Sequence, residues 1–232
     1  MRREQTNRIR WVIEDLLPAA LRDSRLFRFA MRLAWGRHIE RLADFRARAP
    51  FLTSAEYTAL YRDHHRVHEG TDNSEACIRR IVAEAEGPTV CDVGCGSGAL
   101  LQRLRQARGD LGALTGVDFV IHDRLTVAGT RYLAGAIEAL PFADRSFDTV
   151  VCTHVIEHIL DYRRAIAELR RIARRRLIIV VPREREYLYT FNPHFHFFPY
   201  VHSFLRAMHP VPERHQCLDL GRDIYYREER ET

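Results

Sequence analysis

The chain of 232 residues contains no lysine: all 36 basic residues are arginine. We read this as a coding bias toward arginine, not as information about partners. The net charge of +5 comes without the sustained basic stripe that a phosphate backbone requires. Residues 1–70 hold 14 arginines against nine acids, and residues 71–232 hold 22 against 22. The larger part of the chain is therefore neutral, and no nucleic-acid partner is expected. No run approaches the roughly 18 consecutive apolar residues of a membrane-spanning helix. The N-terminal segment is broken by Glu14, Asp15 and Pro18 and lacks the apolar stretch of a secretory signal. Cysteines are few, at 77, 91, 95, 152 and 217. An odd count in a chain large enough to do without staples favours free thiols and a reducing, cytoplasmic setting. There is no internal repeat and no low-complexity linker. What remains, 46% hydrophobic and 29% charged, is enough to bury a core.

The chain divides by texture. Residues 1–72 read as helices. Arg22, Arg25, Arg28 and Arg32 recur at helical spacing, and Gly36 ends that segment. Thr53 and Glu56 have capping-box spacing and open a helix to about His68. Asn73 or Ser74 starts another, with Ile78, Ile81 and Val82 inward and Gly87-Pro88 as its end. From residue 89 strand and helix alternate. Strands are expected at 89–93, 113–117, around Tyr132-Leu133, at 147–152 and at 177–182, with a helix over 161–174. β-Branched runs separated by helices indicate a parallel sheet covered on both faces. The tail around Gly221 reads as an antiparallel edge hairpin.

The glycine-rich turn Asp92-Val-Gly-Cys-Gly-Ser-Gly98 follows a strand and opens a helix. Glycine there lets the backbone turn sharply and a ligand approach closely. Gly94, Gly96 and Ala99 also satisfy the dinucleotide pattern, so a nicotinamide oxidoreductase is one reading. Asp92 opposes it, because a carboxylate repels a pyrophosphate and suits a ligand bearing an ammonium group. Asp118 ends the second strand, where an acid can accept hydrogen bonds from ribose hydroxyls.

With the blocks GlyValAsp (116–118), GluAlaLeuProPhe (138–142), SerPheAsp (146–148) and ThrHisValIleGluHis (153–158), residues 74–182 resemble the class I S-adenosylmethionine-dependent methyltransferases, in particular the small-molecule group. The resemblance implies a doubly wound, mostly parallel Rossmann-like α/β sheet. The core would be 73–232, with 183–209 a substrate-side insertion and 1–72 an N-terminal helical cap. It implies S-adenosylmethionine as cofactor, with S-adenosylhomocysteine as product. Asp92, Gly94, Cys95, Gly96 and Gly98 would surround the methionine part, Asp118 would hold the ribose and Phe119 would flank the adenine. Ile137 and Glu138 would line the adenine edge, and Thr153 would lie near the sulfonium. Two positions depart from the family pattern. Ala136 stands where relatives often carry Asp, and ArgArgArg (174–176) replaces a Lys-Pro-Gly-Gly turn before the fifth strand.

Methyl transfer needs a base only when the nucleophile carries a proton, and histidine suits that role near neutrality. His154, His194 and His196 are the candidates. The last two lie in the aromatic stretch 187–202, at the carboxyl edge of the sheet. That stretch reads equally as a substrate wall and as a loop packing under the N-terminal helices. His154, Glu157, His158 and one of His194 or His196 could together supply four metal ligands. His-x-x-Glu-His also occurs without metal in the wider family, so no metal is assigned. Cys95 reads as a small filler. The N-terminal helices read as a lid, with membrane-surface contact through 24–36 as the other reading. The expected activity is methylation of a hydroxyl or amine on a small molecule, a sugar or specialised metabolite, lipid-linked ones included. A non-catalytic adenosyl-ligand or membrane-surface binding protein is the remaining alternative.

Overall fold

The computed structural model describes residues 11–36, 45–53, 56, 57, 59, 71–121, 127–186, 188 and 193–230. Five strands, β1 (Thr89–Val93), β2 (Ala113–Asp118), β3 (Thr130–Ala134), β4 (Phe147–Thr153) and β5 (Ala173–Pro182), pair in parallel. Two more, β6 (His215–Asp219) and β7 (Asp223–Glu229), are antiparallel. The order across the sheet is β3-β2-β1-β4-β5-β7-β6. Strand β1 thus has β2 on one side and β4 on the other. The order reverses there, and the crevice beyond the carboxyl ends of such strands is where open α/β sheets bind ligands.

Period-2 alternation makes the two-faced core. Along β5, Leu177, Ile179 and Val181 join Ile166, Leu169 and Ile172 on one face. Ile178 and Val180 join Ile81, Leu101, Leu104 and Tyr225 on the other. The facing helices are fixed by local chemistry. In α2 (Glu75–Glu84) the Ser74 side chain accepts from the Cys77 amide, and in α4 (Tyr162–Ile172) Asp161 accepts from Arg164. Between them α3 (Ala99–Ala107) begins at left-handed Gly98. A short helix α5 (Val201–Ala207) follows the aromatic stretch and buries Phe204.

Ahead of the sheet, α1 (Arg25–Trp35) is capped by Ser24 and ended by Gly36 at φ +71°, as the spacing predicts. Met31 is its buried contact, whereas Leu26, Phe29 and Leu33 are exposed. Thr53 and Glu56 form the expected reciprocal cap. The continuation expected to His68 lies outside the described residues. No helix among the described residues is long and apolar enough to cross a membrane.

Two sequence expectations need correction. Arg174–Arg176 are not a turn: α4 passes directly into β5, which begins at Ala173. Flanking carboxylates pair these arginines in the strand, Asp148 with Arg174 and Arg175 at 3.3 and 3.4 Å and Glu229 with Arg176 at 2.8 Å. Helix α2 ends at Glu84, short of Gly87. Gly87 is instead required at φ +74° beside Asp148, whose Cβ would lie 2.4 Å from an added Cβ. The hairpin forms the antiparallel edge of the sheet, as expected. Strand β7 fills the space between β5 and β6 and buries Ile224, Tyr225 and Tyr226 completely.

Buried Glu228 joins this last strand to the helical layer. It accepts from Arg170 at 2.7 Å and from the Tyr226 hydroxyl at 2.7 Å. Arg170→Met should lower unfolding stability by about 3–5 kcal/mol, the range for stranding one member of a buried ion pair. Urea denaturation would measure it, and a loss near zero would mean that solvent replaces the guanidinium.

Candidate functional site

At the end of β1 the chain turns through three glycines, Gly94, Gly96 and Gly98, at φ +81°, +53° and +73°. A Cβ on Gly94 would fall 2.1 Å from Val155 Cγ2, so the turn is fixed by contact as well as by conformation. The Gly94 and Cys95 amides donate to the Val117 carbonyl at 2.7 and 3.0 Å. The Gly96 amide donates to Asp118 Oδ2 at 2.7 Å, and Val120 to Oδ1 at 3.3 Å. The acid at the end of β2 thus ties the two loops together. Cys95 is buried, its thiol pushed up by burial and by the charge of Asp92, as a filler would be.

Asp92 is the electrostatic anomaly. It is 1% exposed, and its Oδ1 has no hydrogen-bond partner among the described residues. Burial, aided by the charge of Asp118, pushes its carboxyl up to about 7. Phe119 is 43% exposed beside it in sequence. The Ile137 side chain turns into the main core, away from the adenine edge expected of it. Glu138 is half-buried, its carbonyl accepting from Arg164 at 2.9 Å.

Beyond β4 the geometry is dense. Thr153 Oγ1 accepts from Asn73 at 2.9 Å. His154 takes a left-handed φ of +55°. Its ring lies between Glu157 Oε1, 3.6 Å from Nδ1, and Asp223 Oδ1, 3.6 Å from Nε2. Burial pulls the His154 imidazole down, but Glu157 and Asp223 outweigh it and hold it above the ordinary value. A single helical turn, Ile156–His158, carries Glu157 and His158 inward. Burial pushes Glu157 up, and the surrounding histidines outweigh that and hold it low. His158 is held down to about 4 by burial and by His194.

The aromatic stretch closes over this turn. The Phe195 and His196 amides both donate to the Glu157 carbonyl, at 2.7 and 3.1 Å. His194 is buried with Nδ1 2.7 Å from Glu184 Oε2. His196 Nε2 lies 2.9 Å from the Ile159 carbonyl. Phe195 stacks on Phe45 and Tyr57 at 5.0 and 6.1 Å. Both readings of this stretch are therefore compatible: it packs on the N-terminal segment and lines a cavity. That cavity, about 520 Å³, is bordered by Tyr162, Arg163, His196, Ser203 and Arg206. Residues 187 and 189–192 of the stretch lie outside the described residues.

Comparison with known proteins decides the class. A family model described as a methyltransferase domain matches residues 91–181. Residues 91–181 are thus similar to a methyltransferase domain. Demethylmenaquinone methyltransferase of Roseiflexus castenholzii is 32% identical over 143 residues, 58% of this chain and 60% of that protein. A ubiquinone/menaquinone biosynthesis C-methyltransferase of Xanthomonas campestris is 35% identical over 107 residues, 40% of this chain and 42% of that one. A malonyl-[acyl-carrier protein] O-methyltransferase of Erwinia pyrifoliae is 38% identical over 86 residues, 37% and 33% of the two chains. The chain thus spans a third to three fifths of the length of these relatives. In fold, a crystal structure of a SAM dependent methyltransferase from Aquifex aeolicus superposes with a TM-score of 0.51 at 18% identity, covering 66% of this chain and 88% of that one.

The fold gathers the predicted residues into two groups. Asp92, Gly94, Cys95, Gly96, Gly98 and Asp118 form one loop pair, and His154, Glu157, His158 and His194 form a buried cluster past β4. His196 faces the cavity instead. Sequence reasoning passed over Asn73, Glu184 and Asp223. Glu184 had a legible signal, a carboxylate two residues past a buried strand at the ligand edge of the sheet. Asp223 and Asn73 had none, since only the tertiary fold brings them to His154 and Thr153.

A buried carboxylate raised from 3.8 to about 7 costs stability progressively as pH rises through that window. Asp92→Asn should therefore stabilise the unliganded protein at pH 8 and approach neutrality near pH 4. Thermal unfolding at both pH values would check it; equal stability at pH 8 would mean Asp92 is satisfied.

Proposed function

We propose that the protein transfers a methyl group from S-adenosylmethionine to a hydroxyl or amine of a small-molecule acceptor. The observation that carries this is the unpartnered, buried Asp92 oxygen beside a Cβ-free turn, at the reversal of strand order. An ammonium group fits that oxygen, and a nicotinamide pyrophosphate does not. The Asp118 oxygens each accept one amide and keep a second lone pair for ribose hydroxyls. Exposed Phe119 offers a face for an adenine. When bound, the cofactor supplies an already activated sulfonium methyl group.

The chain's own residues then position and deprotonate the acceptor. His196 donates through Nε2 to the Ile159 carbonyl, which leaves Nδ1 as an acceptor on the cavity side. His154 and His194 are each held against carboxylates and orient the loop. Phe45, Tyr57 and Phe195 cover the turn, which supports the lid reading of the N-terminal segment. A second reading, a lipid-linked acceptor met at a membrane surface, draws on the exposed Leu26, Phe29 and Leu33 beside Arg25. The quinone methyltransferases among the relatives agree with it. Sedimentation with anionic vesicles would support this second reading, and its failure would remove it.

S-adenosylmethionine, but not NAD, should raise the melting temperature. Asp118→Ala should weaken its binding by about 1.5–3 kcal/mol, the range for hydrogen bonds to a charged group, as calorimetry would show; an unchanged dissociation constant would refute the ribose role. For a hydroxyl acceptor, His196→Ala should lower turnover by about 10²–10⁴-fold with cofactor affinity intact. Full turnover in that variant would transfer the role to His154 or show that alignment alone suffices.

A further inference from the structure

Glu157, His158 and His194 are brought together from two segments 35 residues or more apart by the docking of the aromatic stretch on the Ile156–His158 turn. One ligand-capable atom from each lies within 4.8 Å of the others. We propose that these three side chains form a binding site for a single divalent transition-metal ion of the zinc class.

The second layer supports this more than proximity does. A metal-bound histidine characteristically donates its other ring N–H to a carboxylate or carbonyl. His158 Nδ1 lies 2.9 Å from the Pro193 carbonyl, which can only accept, so Nδ1 carries the proton and Nε2 the lone pair. His194 Nδ1 lies 2.7 Å from the Glu184 carboxylate, which fixes the same tautomer. Both Nε2 atoms are thereby set as ligands. The His158 and His194 rings meet edge to face at 4.6 Å between centroids. Glu157 is 1% exposed and its Oε2 has no hydrogen-bond partner among the described residues. Its Oε1 is 3.9 Å from His158 Nε2.

Zinc–ligand bonds of about 2.0–2.1 Å at tetrahedral angles place donor atoms about 3.3 Å apart. The present spacing needs a modest contraction, within reach of side-chain rotation. Two imidazoles and one carboxylate leave an open position, the pattern of a catalytic rather than a structural zinc site. The set differs from the four ligands considered from sequence. His154 lies between Glu157 and Asp223, and neither it nor His196 joins the set whose donor atoms all lie within 4.8 Å of one another. On the methyl-transfer reading, the open position would take an acceptor oxygen and lower its pKa, but metal binding itself does not depend on that reading.

Isothermal titration of chelator-stripped full-length protein with zinc chloride tests the site. One ion per chain should bind. Glu157→Gln, His158→Ala and His194→Ala should each weaken binding more than 100-fold, and Glu184→Gln by about 10–100-fold at unchanged stoichiometry. His215→Ala, on an exposed strand residue, should bind as wild type does. Absence of binding by folded wild-type protein, or ligand variants that bind as tightly as wild type, would overturn the proposal. If a ligand variant does not fold by circular dichroism, the cobalt(II)-loaded wild-type protein decides. Intense visible bands of low-coordinate cobalt support the site, and the spectrum of the aqua ion overturns it.

Discussion

The site depends on one uncompensated charge. Asp92 is placed by β1, a strand buried on both faces, so its carboxylate cannot reach water. The charge that bears on it at the turn is another acid, Asp118, and both Asp118 oxygens are engaged by backbone amides. An unliganded fold gains nothing from this arrangement. A ligand that brings a cation to Asp92 and hydroxyls to Asp118 relieves both, and its affinity draws on the instability stored in the empty loop. The three glycines follow from the same requirement, because Val155 already occupies the space a side chain at residue 94 would need.

The second constraint is the Glu157 residue, used at both ends. Its backbone carbonyl receives two amides from the aromatic stretch, and its side chain lies among three histidines. Helical turn, loop and N-terminal segment therefore converge at one residue. Tyr57 donates to the His158 carbonyl, and the Arg22 guanidinium donates to the Glu186 carbonyl. Displacing the N-terminal segment would thus disturb the positions of the histidines.

Much of this architecture was legible in the sequence. Continuous β-branched runs located β1, β4 and β5, and Thr53 with Glu56, and the pair Asn73-Ser74, marked helix starts by the chemistry of their side chains. The Asp92–Gly98 turn was legible because glycine spacing reports backbone geometry directly. The ArgArgArg run misled because the family resemblance places a turn at that point. In the fold Asp148, Glu86 and Glu229 neutralise them within a strand, and those partners come from distant segments. The pairing of His194 with Glu184 was hidden for the same reason. Histidine carries no periodic signature, and its role is set by whichever carbonyl or carboxylate the tertiary fold delivers to one ring nitrogen.

The central claim is that Asp92 reads an ammonium group. Calorimetric comparison of S-adenosylhomocysteine with 5′-methylthioadenosine, which lacks the amino-acid moiety, tests it most directly. The account predicts that the wild-type protein strongly prefers the ammonium-bearing ligand at pH 8, that the preference narrows below pH 7 as Asp92 takes up a proton, and that it largely disappears in Asp92→Asn. Equal affinities for the two ligands, or a preference untouched by Asp92→Asn, would contradict it.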